Sequence, residues 1–191
     1  MRIIAGRWRG MRLAAVGKGD AGAHLRPTPD RVRESLFSML DHRGVVEGAR
    51  VLDLFAGTGA LGLEALSRGA ASAVLVEKGR VGQRLISENL TKLQAEEATL
   101  IRGDATRLGP CPSAPFDLVF LDPPYGQGMG ERALISARPW MVPGAVVVWE
   151  EEGFQTPPDG FGPLDQRRFG GVHVTLLERL GASGVPAWDT P

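Results

Sequence analysis

One cysteine in 191 residues, Cys111, excludes an intramolecular disulfide and fits a reducing, cytoplasmic setting. No apolar run approaches the roughly 18 residues of a membrane span. The opening "MRIIAGRWRG" has no apolar h-region, so it does not read as a signal peptide. The three histidines, His24, His42 and His173, are far apart, and no Cys/His/Asp/Glu spacing predicts a metal site. The formal net charge is zero, which argues against general coating of nucleic acid. A hydrophobic content of 43% argues against disorder and for one domain with a proper core.

The neutral total hides an asymmetry. Residues 1–43 carry nine Lys/Arg against four Asp/Glu, a net of +5; the remainder carries thirteen against eighteen, a net of −5. A basic end on a neutral protein points to local contact with a polyanion.

From Arg50 onward, β-like and helical stretches alternate. "RVLDLF", "ASAVLVE", "EATLIRGD", "FDLVFLDPPY" and "AVVVWEEE" read as strands. "ALGLEALSRGA" and "GRVGQRLISENLTKL" read as helices, the second with Val81, Leu85, Leu90 and Leu93 inward, and "GERALISARPWM" as a helix stopped near Pro139. "QRRFGGVHVTLLERL" predicts a last hairpin turning at Gly170–Gly171. The expected fold is α/β and Rossmann-like: a mostly parallel seven-stranded sheet with an antiparallel last strand and helices on both faces. Ahead of it, "RIIAGRWRGMRLAAV" predicts a small β-hairpin, "GKGDAGAH" a loop, and "RPTPDRVRESLFSML" a helix with Val32, Leu36, Phe37 and Leu40 inward. The expected division is a basic extension over 1–29, a main domain over 30–180 and a flexible tail over 181–191.

The first strand runs into Gly57-x-Gly59-x-x-Gly62, the spacing of a dinucleotide-binding loop, and Glu77 follows twenty positions on. Asp53 changes the reading. A carboxylate just before the glycines repels a pyrophosphate and favours a ligand with an ammonium and no phosphates. S-adenosylmethionine (SAM) meets that description. Glu77 is placed for two ribose hydroxyls, and Asp104 with the Ala105 N–H for an adenine edge. A helix cap explains any one such acid equally well; three acids ending three successive strands are harder to explain so.

Asp122-Pro123-Pro124-Tyr125 ends the fourth strand. A turn alone requires neither the acid nor the aromatic. An exocyclic base amine requires both, because its lone pair is delocalised into the ring. Asp122 and the Pro123 carbonyl can accept its two N–H bonds and favour a pyramidal nitrogen, the prolines stiffen the turn, and Tyr125 offers a face for stacking. Methyl transfer is then an in-line displacement driven by positioning, with no metal.

"VLDLFAGTGALGLEALSRGA" with "DPPY" resembles the class I SAM-dependent methyltransferases of exocyclic amino groups. "RIIAGRWRGMRL" and "RPTPDRVRESLFSML" are similar to the RsmD-type family of bacterial small-subunit ribosomal RNA guanine-N2 methyltransferases. The resemblance implies that Asp53, Phe55, Gly57 and Gly59 line the methionine side of the cofactor, Glu77 the ribose, and Asp104 and Ala105 the adenine. Thr28 and Arg26 would close that pocket or approach the RNA backbone. Arg7, Trp8, Arg9 and Arg12 would bind RNA, with Trp8 either stacking on a base or filling the hairpin's own core. Arg31 and Arg33 would extend the basic surface or form a solvated helix face. Asp122, Pro123, Pro124 and Tyr125 would be the catalytic set, Tyr125 standing where relatives often carry Phe. The implied substrate is one guanine N2 in small-subunit ribosomal RNA within a partly assembled particle, acted on by a monomer away from any membrane. DNA or RNA adenine-N6 or cytosine-N4 methylation, a nicotinamide oxidoreductase, and a non-catalytic RNA-binding factor are the rival readings.

Overall fold

In a computed structural model, the described residues are 1–17 and 28–181. The loop over 17–24 beyond Gly17, Arg26, and the tail from residue 182 therefore lie outside them. The chain order is α1 (Asp30–His42), β1 (Arg50–Leu54), α2 (Ala60–Ser67), β2 (Ser72–Glu77), α3 (Arg80–Leu93), β3 (Ala98–Arg102), β4 (Phe116–Leu121), α4 (Met129–Ala137), β5 (Met141–Glu151), β6 (Phe161–Phe169) and β7 (Val172–Arg179). Short 3₁₀ turns follow β3 at Ala105–Arg107 and α4 at Arg138–Trp140, the latter carrying Pro139.

The seven strands form one sheet in the order β3-β2-β1-β4-β5-β7-β6. β1 pairs in parallel with both β2 and β4, so the strand order reverses between β1 and β4. Open α/β sheets bind ligands at that reversal, beyond the strand C-termini. β7 runs antiparallel to β5, as the glycine turn predicts. Both prolines within strands sit where a missing N–H does least harm. Pro163 lies on the edge strand β6, and Pro143 falls where the β4–β5 register jumps from Phe116↔Met141 to Leu118↔Val146.

Alternation along the strands divides the core. Val51, Leu118, Phe120, Val146 and Val148 pack with α1, α2 and α3; Leu52, Leu54, Val119, Leu121, Val147 and Trp149 pack with α4. Extending the two-residue period to the strand ends puts Asp53, Asp122 and Glu150 on the α1–α3 face.

The N-terminal hairpin is short. Arg2 and Arg12 form a single antiparallel bridge, with Ile3 N–H bonded to Met11 O and Gly10 N–H to Ile3 O. The tip docks on α2, because the amides that a longer ladder would use are taken. Glu64, wholly buried, accepts from Ile4 and Ala5 N–H at 2.8 and 3.1 Å, and Ser67 Oγ accepts from Trp8 N–H at 3.0 Å. Gly6 (φ 78°) passes so close to Ser67 that a Cβ would fall 1.7 Å from its carbonyl oxygen. Asn89, also fully buried, ties this segment to the glycine loop. Its Oδ1 accepts from Ala14 N–H at 2.7 Å and its Nδ2 donates to Thr58 O at 2.9 Å.

The helix α1 corrects one expectation. Arg33 is buried, and Val32 is only half-buried. The Arg33 guanidinium donates to Arg2 O and to Asp30 Oδ1. It therefore pins the N-terminal segment and is no part of a basic surface; Arg31 is exposed.

Candidate active site

β1 runs into a loop whose backbone is unusual at three positions: Phe55 (φ 60°), Gly57 (φ 58°) and Gly59 (φ 77°). A left-handed aromatic residue costs roughly 1–3 kcal/mol and persists only where its surroundings impose it. They do so here. Ala56 N–H bonds to Val76 O, Gly57 N–H to Glu77 Oε2 at 2.9 Å, and Gly59 N–H to Ala56 O. Gly59 caps α2 without a side-chain hydrogen bond of its own. The third glycine sets the helix–strand spacing. A Cβ on Gly62 would lie 2.4 Å from Leu75 Cδ2, and its N–H donates to Asp53 Oδ2 at 2.9 Å.

The acids at the strand ends differ in their surroundings. Asp53 is 2% exposed, and burial, reinforced by the nearby Glu77 and opposed by the Gly62 N–H, pushes its carboxyl up to about 7. Glu77 is folded against backbone, its Oε1 accepting from Gly79 N–H at 2.6 Å. Asp104 is both a cap and an ion-pair partner. Its Oδ1 accepts from Thr106 N–H and Oγ1, and Lys78 Nζ lies 2.8 Å from Oδ2. Those donors, Lys78 first, hold its carboxyl well below the ordinary range. Ala105 is buried behind it. Thr28 is half-buried two residues ahead of α1.

The Asp53 shift has a measurable consequence. Between about pH 4 and pH 7 the folded protein keeps a proton that an unfolded Asp, near pH 3.9, has released, so this group lowers stability as pH rises through that window. Thermal melts of the ligand-free protein should therefore show Asp53→Asn gaining on wild type between pH 5 and pH 8. A difference between the two that does not change with pH contradicts the shift.

β4 ends at Leu121, and the proline turn begins at once. Asp122 is half-buried, Pro123 buried, Pro124 exposed and Tyr125 half-buried. Burial, then the charges of Glu150, Asp53 and Glu151, raise the Asp122 carboxyl well above its usual range. Tyr125 Oη donates to Glu150 Oε1 at 3.0 Å, and burial with the adjoining acids raises the phenol as well. Asp53, Asp122, Glu150 and Glu151 thus crowd the ends of β1, β4 and β5, and among the described residues none pairs with an arginine or lysine. Such a cluster is relieved by a cation and made worse by a phosphate. A positively charged methyl donor fits this donor set; a pyrophosphate does not.

Glu64, Asn89 and Glu150 were absent from the residues singled out by motif. Each carried a signal: an acid inside the apolar "ALGLEALS", an amide at the inward spacing of "LISENLTKL", and an acid closing "AVVVWE".

The basic tip presents Arg9 and Arg12 exposed. Arg7 forms a two-pronged pair with Glu97 at 2.7 and 3.0 Å and lies 4.0 Å over the Trp8 ring. Trp8 is half-buried against the core, so one part of the ring fills the hairpin's base. On the far side of the proline turn a cleft of about 530 Å³ is lined by Gly126, Glu131, Trp149, Glu151, Glu152 and Phe154. It does not include the glycine loop, and its three glutamates make it a poor seat for phosphates. No helix among the described residues is long and apolar enough to cross a membrane.

Comparison with known proteins gives the family. A family model described as "Conserved hypothetical protein 95" matches residues 1–178. The ribosomal RNA small subunit methyltransferase D of Escherichia coli K12 is 38% identical over 184 residues, covering 94% of this chain and 90% of that protein. Its Haemophilus influenzae counterpart is 37% identical, covering 93% of each. The solved structure of yhhF from Escherichia coli superposes with a TM-score of 0.80 at 37% identity, over 94% of this chain and 98% of that one. With the Rossmann-like sheet, the left-handed glycine loop and the proline turn all in place, the chain belongs to the Conserved hypothetical protein 95 family, the RsmD-type methyltransferases.

Proposed function

We propose that this protein transfers a methyl group from SAM to the exocyclic N2 of one guanine in small-subunit ribosomal RNA, within a partly assembled subunit. Methylation of ribosomal RNA is the activity named for its relatives at 37–38% identity. The observation that carries the finer reading is the Asp122-Pro123-Pro124-Tyr125 turn set beside a crowd of acids that pairs with no lysine or arginine among the described residues.

SAM supplies a methyl group activated on a sulfonium. Asp53 and the Phe55–Gly59 loop would hold its methionine portion, Glu77 its ribose, and Asp104 with Ala105 its adenine, while Thr28 would help close the same pocket. Asp122 and the Pro123 carbonyl accept the two N–H bonds of the guanine amine, freeing its lone pair, and Tyr125 supports the base. When the N–C bond forms and the S–C bond breaks, the nitrogen carries an extra proton and a positive charge. Asp122, ionised when it accepts the amine and made a stronger base by burial and the acids around it, takes that proton at a carboxylate oxygen and passes it to water. Analysis of modified nucleosides in small-subunit RNA from a deletion strain is expected to show one N2-methylguanosine missing, restored by the wild-type gene. An unchanged inventory contradicts the proposal.

Arg7, Trp8, Arg9 and Arg12, with Arg26 outside the described residues, form the proposed RNA contact on the extension over 1–29. Replacing Arg7 and Arg9 with Ala should weaken RNA binding. It should also flatten the plot of log affinity against log salt by about 1.5, as expected for two lost phosphate contacts. Titration at several salt concentrations checks this, and an unchanged slope removes the two arginines from the footprint.

A further inference from the structure

Glu150 lies one residue before the end of β5, and the Leu121↔Trp149 register sets it beside Asp122. It is 5% exposed. Its Oε1 accepts the Tyr125 hydroxyl, its Oε2 is sealed from solvent with no hydrogen-bond partner among the described residues, and burial raises its carboxyl above the usual range against the pull of that hydroxyl. A buried carboxylate oxygen without a donor is destabilising. Packing alone calls for no acid there: Val146 and Val148 precede Glu150 on the same face, and Val174 sits across from it on β7. The benefit must lie in what Glu150 does to its two neighbours.

We propose that Glu150 is a positioning residue for methyl transfer, holding the Tyr125 ring as a fixed platform for the target base and setting a negative charge beside Asp122. This rests on the reading of the site as a guanine-N2 methyltransferase. A tyrosine ring turns about two side-chain bonds, and a hydroxyl tied at 3.0 Å to a buried acid removes that freedom before the base arrives. The groups facing Asp122 are Glu150 and Glu151 on β5 and Asp53 on β1; Tyr125 on the turn faces Glu150. All the charges on Asp122 act in one direction, strengthening it as an acceptor for the amine's N–H and for the released proton.

Two variants divide these effects. Glu150→Gln keeps the size and an oxygen for the tyrosine hydroxyl but removes the charge; Glu150→Leu removes both. Purified proteins are assayed with SAM and small-subunit particles lacking the modification, following N2-methylguanosine across pH, with SAM affinity and melting measured alongside. With a negative neighbour gone, Asp122 stays ionised to lower pH. The acid limb of kcat/KM in Glu150→Gln is therefore expected to move down by at least about half a pH unit, with its plateau within about threefold of wild type. Glu150→Leu should show the same displacement and a further fall of about tenfold or more in plateau kcat, with SAM affinity within about twofold. Wild-type protein that places no methyl on guanine overturns the functional reading itself. If the wild type is active, an unmoved acid limb in Glu150→Gln, or loss of SAM affinity in step with rate, overturns the role of Glu150 alone. Should Glu150→Leu not fold, the acid limb of Glu150→Gln decides.

Discussion

Asp122→Ala is expected to lower turnover at least about a hundredfold while leaving SAM affinity within about threefold of wild type. On the proposed reading, the alanine removes the acceptor that would orient the guanine amine and take its proton. It leaves untouched the backbone contacts that shape the glycine loop, since Gly57 and Gly79 bond to Glu77 and Gly62 to Asp53. Single-turnover assays with calorimetric SAM binding check both halves. A parallel loss of SAM affinity makes Asp122 a cofactor ligand instead, and retained methylation leaves the protein a site in which the proline turn has no chemical part.

Gly82→Ala is expected to do the reverse, weakening SAM binding about tenfold or more. A Cβ there would fall 2.7 and 2.8 Å from Glu77 Cγ and Cδ and 2.8 Å from Gly57 O. Helix α3 carries Gly82, β2 carries Glu77, and the loop carries Gly57, so one methyl presses on all three supports of the proposed ribose side. The Glu77 side chain has no slack, being bonded through both oxygens to Gly57 and Gly79 N–H. Overpacking of this kind costs about 1–3 kcal/mol, a loss that a domain with several kcal/mol in hand survives folded. Binding titrations on folded protein check it. SAM affinity equal to wild type shows that Glu77 can move aside without consequence and does not hold the cofactor.

Much of the architecture was legible because its signals are local. The run from "RVLDLF" to "AVVVWEEE" alternates apolar strands with helices at their proper periods, and the Gly170–Gly171 turn marks the reversal of β7. The proline turn stood out by composition. What stayed hidden depends on distant partners. Arg33 reads as a surface cation until the N-terminal segment folds over it. Glu64 and Asn89 are polar residues at helix positions whose partners in the N-terminal segment lie 59 to 75 residues away. Glu150 sits in a row of three glutamates, and only the strand phase separates the one beside Asp122 from its neighbours. The left-handed Phe55 is likewise invisible in sequence, because no rule of local preference puts an aromatic residue there.

The extension is also more firmly joined to the cofactor side than its composition conveys. Glu64 fixes its tip to α2, Asn89 links Ala14 to Thr58, and the Met1 sulfur lies 3.9 Å from Thr58 Oγ1. The basic arm proposed to meet RNA is thereby held in register with the glycine loop proposed to shape the methyl-donor site.

A crystal structure with SAM bound bears most directly on these proposals. The ribose is expected against Glu77, the methionine portion along Asp53 and the Phe55–Gly59 loop, and the sulfur turned toward Asp122 and Pro123. SAM seated instead in the cleft between Glu131 and Phe154, or with its methyl facing away from the proline turn, contradicts them.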